Sequence, residues 1–266
     1  MAFYGCDFKY DSSWASNLEL QIYDFDSSDQ GSTSDFVAQG TIVSDAVAGR
    51  DDILLYGQEQ KDTLAPHLVF GVNQERLDED RWLTRKEIAH IAEWLTADGR
   101  WHWLKIKQED MVEYRYKVVL ESLQLLHHGT YPYAFEASFV ADSAYAYMYP
   151  REYTWHSGEN EFYNISTSKM YYKPTLLIHL SSGGDCSIVN HSDGDREFKL
   201  TGVPGSVSNI LVDNANQIIT DVDGGLNLYE YFNFNFFRAV KGKNDLTVTG
   251  SDEIVAMCEF PMNIGV

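Results

Sequence analysis

From Thr201 to Gly250 the chain reads TGVPGSVSNILVDNANQIITDVDGGLNLYEYFNFNFFRAVKGKNDLTVTG, a ladder of short strand-like runs broken by turn residues. Val207–Asn214 and Gln217–Asp221 predict a hairpin around Asn214-Ala215-Asn216. Phe232, Phe234 and Phe236 alternate with Asn233 and Asn235, the period-2 pattern of a strand with one face buried. Residues 240–250 then predict a turn and a last strand with Leu246 and Val248 inward. Upstream, strands are expected near Thr175–Leu180, Cys186–Asn190 and Arg196–Leu200, with turns at 182–185 and 192–195. Strands at this spacing imply an all-β sandwich. A stretch so regular and so poor in reactive groups points to a surface made for assembly or for holding a ligand.

The N-terminal half is also mainly β, with one helix. Leu18, Leu20 and Ile22 fall on one face of an expected strand within Phe3–Phe25, and a polar loop with Gly31 follows. Asp24, Asp26 and Asp29 in that region lack the spacing of a glycine-turned calcium loop and read as a solvated acidic loop. Ala48-Gly49-Arg50-Asp51-Asp52 predicts a hairpin turn, with Ile53, Leu54 and Leu55 starting the return strand. Thr84 followed by Glu87 makes a capping box for a helix over Arg85–Ala97. Its apolar stripe is Ile88, Ile91, Ala92 and Leu95, and Asp98-Gly99 ends it. In the next strand Trp101, Trp103 and Lys105 share one face and His102, Leu104 and Ile106 the other. The tryptophans are expected to pack under the helix; a sugar-stacking platform is the alternative. Two more strands flank His127-His128-Gly129, where adjacent histidines point in different directions and lack a third ligand. Phe135, Ala137 and Phe139 mark the buried face of the second.

At 266 residues, two domains are expected, and a Tyr count of 17 against 14 Phe and 6 Trp favours half-buried sheets. The formal net charge of -20 argues against a surface that grips nucleic acid, which needs Lys and Arg clusters, yet suits a conduit that repels it. Simple solubility is the plainer account of the same charge. Cys6, Cys186 and Cys258 form no metal-like pair and leave one over, implying a reducing compartment. With neither a signal-peptide pattern nor an apolar run of spanning length, the expectation is a soluble protein made in the cytoplasm.

Five places, in order, resemble the distal tail proteins of long-tailed, siphovirus-type bacteriophages. They are the Gly49-Arg50-Asp51 turn, the helix with Trp94-Leu95 and the strand after it, the Phe139–Tyr147 junction, the Val212-Asp213-Asn214 hairpin, and the closing Asn244-Asp245-Leu246-Thr247-Val248-Thr249-Gly250. The chain departs from the pattern with Asp52 where the family has Gly and Ser143 where it has Pro. The resemblance implies a structural virion protein of the tail tip or baseplate hub. Residues 1–142 would form a β-rich domain that closes a homohexameric ring on the tail tube protein, with DNA passing through its channel without specific binding. Residues 143–266 would form a galectin-like β-sandwich facing a tail-associated fibre or receptor-binding protein. The capped helix and the Trp101-Trp103 strand are expected to contribute to ring packing.

A second class is a lectin-like module contacting host-surface polysaccharide, for which Trp155, Tyr163, Tyr171 and Tyr172 are the candidate aromatics. The third is an enzyme. Asp185, Asp193 and Asp195 could be arranged for glycoside hydrolysis, but turn aspartates beside glycine are the commoner origin of such a pattern. No Gly-x-Ser-x-Gly, His-Glu-x-x-His, phosphate loop or dinucleotide glycine pattern occurs, so no catalytic residue, cofactor or metal is expected.

Overall fold

The computed structural model describes residues 3, 5–23, 40–60, 63–73, 82–96 and 98–265. The calcium-like aspartates, the loop with Gly31 and the last helical position expected at Ala97 lie outside them. The chain divides into two compact units, Met1–Tyr147 with Asn263–Val266, and Met148–Met262. Both are built mainly from antiparallel sheets.

In the first unit the strands are β1 (Asp7–Tyr10), β2 (Ser13–Trp14), β3 (Leu20–Ile22), β4 (Gly40–Ala46), β5 (Ile53–Gln60), β6 (His67–Val72), β7 (His102–Lys107), β8 (Tyr114–His128), β9 (Tyr131–Ala141) and β10 (Ala146–Met148), with helix α1 (Arg85–Thr96) before β7. The main sheet runs in the order β2-β1-β7-β8-β9-β6-β3. It curls until β3 returns beside β1, where the Ile22 N–H donates to the Cys6 carbonyl at 3.2 Å. Phe8, Phe70, Leu104, Ile106, Tyr116, Phe135 and Phe139 fill the interior.

Helix α1 covers that interior with Ile91 and Leu95, both buried, while the Trp94 ring stacks on Phe8 at 5.7 Å. Its start follows the sequence expectation: Thr84 N–H and Oγ1–H both donate to Glu87 Oε2 at 2.7 Å, and the Glu87 N–H donates back to Thr84 Oγ1 at 3.3 Å. Gly99, at φ +62°, takes the left-handed conformation that follows the helix. The long β8–β9 hairpin turns at Gly129, φ +65°, and buries Phe135, Ala137 and Phe139 as expected.

Two expectations fail here. Leu18 sits in a 3-10 turn over Ala15–Leu18 that ends at Glu19, φ +57°, so the alternation Leu18-Leu20-Ile22 does not belong to one strand. Trp101 and Trp103 do not lie beneath the helix. Leu104 and Ile106 face the interior, leaving Trp101 48% exposed and Trp103 on the outer face, where its ring meets Tyr147 edge-on at 5.7 Å. Trp94, on the helix itself, supplies the indole that fills the core.

The second unit contains β11 (Arg151–Trp155), β12 (Gly158–Asn164), β13 (Thr175–His179), β14 (Gly184–Asn190), β15 (Arg196–Val203), β16 (Asn209–Asp213), β17 (Ile218–Asp221), β18 (Gly242–Thr249) and β19 (Glu253–Cys258). They form two sheets, β11-β19-β13-β16-β17 and β12-β18-β14-β15. The expected strands are all present except that of Phe232–Phe236. Asn233 explains its absence. Backbone pairing with β15 stops after the Phe232–Leu200 bridge and the Asn233 N–H to the Lys199 carbonyl at 3.1 Å; beyond it the Asn233 side chain takes over, accepting from Lys199 N–H at 3.2 Å and donating to the Glu197 carbonyl at 2.9 Å. Phe234 then adopts φ +60°, which reverses the chain and leaves its ring 63% exposed. Phe232 stays buried, Phe236 is half-buried, and Phe237 enters the core.

Candidate functional site

Strands β4 and β5 pair only with each other among the described residues. Gly49, at φ +87°, makes the turn, and Arg50 clasps Asp52 with Nε and Nη2 at 3.0 and 2.7 Å. The register places Ile42, Ala46, Ile53 and Leu55 on one face, because Ile42 and Ala46 alternate on β4 and Ala46 stands opposite Ile53; a bulge at Tyr56 then shifts β5 by one residue between Ser44 and Val43. Every residue from Thr41 to Arg50 is exposed, and Leu55 is 70% exposed. A two-stranded hairpin is at best marginally stable in water. This one shows water Ile42, Ile53, Leu55 and Tyr56 together, the kind of surface that marks an interaction site. Covering the three aliphatic side chains would contribute on the order of 5 kcal/mol.

The four aromatics proposed for sugar stacking do not meet on one face. Trp155 is 1% exposed, wedged between Phe162 at 5.5 Å and Phe237 at 5.4 Å. Tyr172 lies on Phe260 at 4.8 Å, and its hydroxyl accepts the Glu259 N–H at 2.8 Å. Burial pushes the Tyr172 phenol well above its ordinary range. Trp155 is a core residue and Tyr172 is half-buried, turned inward by their places in β11 and in the bridge to Ala239. Tyr163 and Tyr171 remain exposed, and one face of the Tyr171 ring is covered by the Arg238 guanidinium at 3.8 Å.

The aspartates of the second unit hold turns. Asp193 accepts both Nε and Nη2 of Arg238 at 2.7 and 3.1 Å. Asp195 pairs with His191 Nδ1 at 2.6 Å, and Asp185 accepts the Gly202 N–H at 2.7 Å. Each carboxylate is therefore engaged by a partner of its own in the fold. Among the described residues no three His, Cys, Asp or Glu side chains gather as a metal site. At the junction, Ser143 Oγ accepts the Tyr145 N–H at 3.2 Å, and the Tyr147 hydroxyl reaches Ser143 Oγ at 3.0 Å and Asp142 Oδ1 at 3.1 Å.

The sequence reading located the hairpin turn but not the exposure of its strands. Their apolar content resembles that of any core strand. The available signal was the neighbouring composition: the β4 and β5 runs are apolar on positions of both parities, which a strand with only one covered face does not require.

Residues 3–143 match the family described as the phage tail protein N-terminal domain, and residues 145–258 the phage tail C-terminal domain. No curated protein sequence matches the chain. Among solved structures, the fold is similar to the crystal structure of SPP1 Dit (gp 19.1), described as a paradigm of the hub adsorption apparatus in phages infecting Gram-positive hosts. That likeness has a TM-score of 0.67 at 13% identity and covers 96% of this chain and 98% of that one. It is also similar to a chain of the phage P2 baseplate in its activated conformation with Ca, with a TM-score of 0.53 at 10% identity, covering 94% and 97%. The same baseplate with Sr gives 0.51 at 11%, covering 95% and 97%.

Proposed function

Because this chain belongs to the phage tail protein family, in both its N-terminal and its C-terminal domain, we propose that it is a structural hub component at the distal end of a siphovirus-type tail. In this reading residues 1–142 form the ring-building domain. Six copies close around a channel for DNA and stack on the tail tube protein. Residues 143–266, a galectin-like sandwich, carry the tail-tip or receptor-binding apparatus. The protein is made in the host cytoplasm and acts in the virion, by assembly rather than by catalysis.

The exposed β4–β5 hairpin is the observation that carries the assembly reading. A free-standing sheet with this much apolar surface needs a neighbour, and a ring of identical subunits supplies one at every position. The acidic balance suits a conduit, since a lumen that attracted DNA would slow its passage. Electron microscopy of the purified full-length protein tests the reading. A six-fold ring with a central hole is expected; a species that stays monomeric by light scattering at high concentration would overturn it.

A further inference from the structure

We propose that the β4–β5 hairpin of one copy docks on the outward face of β2, β1, β7 and the start of β8 of a second copy, and that this contact closes the ring. The inference rests on the ring reading and adds the two surfaces that meet.

The outward face is unusual for this chain. Lys9 of β1 stands directly opposite Lys105 of β7 and opposite Trp14 of β2, while Trp103 stands opposite Lys117. The Arg115 guanidinium lies 3.6 Å over the Trp103 ring, and Lys105 Nζ is 6.0 Å from the Trp14 ring. With Lys107, these strands hold five of the 20 Lys and Arg in a sequence with 40 Asp and Glu. Carboxylates also lie among them. Asp7, opposite Lys107, is buried and accepts the N–H groups of Phe8 and Ser16, and Asp142 lies 3.6 Å from Lys117. Like charges directly across a ladder cost about 0.2–1 kcal/mol. A basic and aromatic face kept at that cost, in a chain so acidic, fits a surface that receives an anionic, partly apolar partner.

The hairpin has that chemistry. Ile42, Ile53 and Leu55 are its apolar face, and Asp45, Asp51 and Asp52 surround its turn, with Arg50 already committed to Asp52. Trp14 and Trp103, both half-buried, add apolar surface for the first set, and the lysines offer countercharge to the second. Both surfaces belong to the same unit of the same chain, yet they differ. A contact between them is heterologous, the type that generates rings.

The test is a charge exchange in the full-length protein. Lys105→Glu with Lys107→Glu, and separately Asp51→Lys with Asp52→Lys, should each raise the concentration needed for ring formation at least about tenfold by mass photometry. Combining all four changes should restore assembly toward the wild-type value. If the combined variant, folded by its melting curve, fails to recover, the docking proposal falls; it also falls if neither reversal alters assembly. A wild-type protein that never forms rings would remove the ring reading itself, so the two failures are distinct. Retention of duplex DNA at ~0.15 M salt, lost on lysine reversal while rings persist, would reassign the face to nucleic acid and overturn docking.

Discussion

The side-chain amide of Asn190 donates to Oδ1 of Asn244 across 3.0 Å in the interior of the second unit. That contact is one link in a set of buried asparagines that hold the segment 237–240, which is bridged to other backbone at Ala239 by Tyr172 and belongs to no strand. Asn244 Oδ1 also accepts the Val240 N–H at 2.9 Å, and its amide donates to the Val240 carbonyl at 2.9 Å. Asn190 donates to the Arg238 carbonyl at 3.0 Å, and Asn214 Oδ1 accepts the Phe237 N–H at 2.8 Å. Buried backbone polar groups need partners, and here side chains supply them.

Asn244→Ala would leave the Val240 N–H and one Asn190 amide hydrogen without an acceptor. Each unsatisfied buried group costs about 1–3 kcal/mol, so the variant should be destabilised by roughly 2–5 kcal/mol. Urea unfolding of the full-length protein followed by tryptophan fluorescence would measure this. A loss below about 0.5 kcal/mol would show that the asparagine set does not hold the segment.

The helix start makes a gentler prediction. Thr84→Ala removes the acceptor for the Glu87 N–H and a donor to its carboxylate, which should cost about 1 kcal/mol. Glu87→Ala should cost a similar amount, and the double variant less than the sum, because the two side chains form one reciprocal unit. Hydrogen exchange in the first turn of α1 should accelerate in all three. Additive losses would show that the two caps act independently.

The contrast between these two sites shows what sequence patterns convey. Thr84 and Glu87 interact three residues apart, so local spacing contains the whole geometry. The β4–β5 turn, the β8–β9 hairpin and the strands flanking Asn214 were legible for the same reason. Asn233 is different: its partners, Glu197 and Lys199, are more than thirty residues away. Nothing near Phe232, Phe234 and Phe236 discloses that a carboxamide will replace the ladder. Whether Trp155 and Tyr172 face solvent or the interior was not legible either, because an aromatic residue in a β-rich stretch has the same pattern whichever face is covered. Only the partner sheet decides between them.

His102 gives a pH-dependent clasp in the first unit. Its Nε2 is 2.7 Å from Asp98 Oδ1, just beyond the helix, and its Nδ1 is 3.3 Å from Asp11 Oδ1, beside the β1–β2 turn. Burial alone would lower the His102 pKa, but the hydrogen bonds that its ring donates to the Asp98 and Asp11 carboxylates outweigh it and raise the value. A raised folded value means that the stabilisation is complete below the unfolded pKa of about 6.5 and is lost as pH rises through the folded value. The melting temperature of wild type minus that of His102→Gln should therefore be largest near pH 6 and shrink on the alkaline side. A difference independent of pH between ~5 and ~9 would show that the clasp contributes no linkage.

The three thiols should separate cleanly. Cys6 is exposed, whereas Cys186 and Cys258 are buried and free. Burial pushes both of the latter up to about 12. At pH 8 roughly one molecule in ten thousand then has either thiol ionised, and the thiolate is the form that reacts. Iodoacetamide at that pH should add one adduct to the native protein and three after denaturation, read by intact mass. A second fast adduct in the native state would place Cys186 or Cys258 at the surface. The same shifts carry a stability consequence. A thiol whose folded pKa is raised stabilises the fold fully below its unfolded value and loses that contribution as pH climbs toward the folded one. The second unit should weaken progressively above about pH 8.5, and Cys258→Ala, whatever its stability at neutral pH, should flatten that decline.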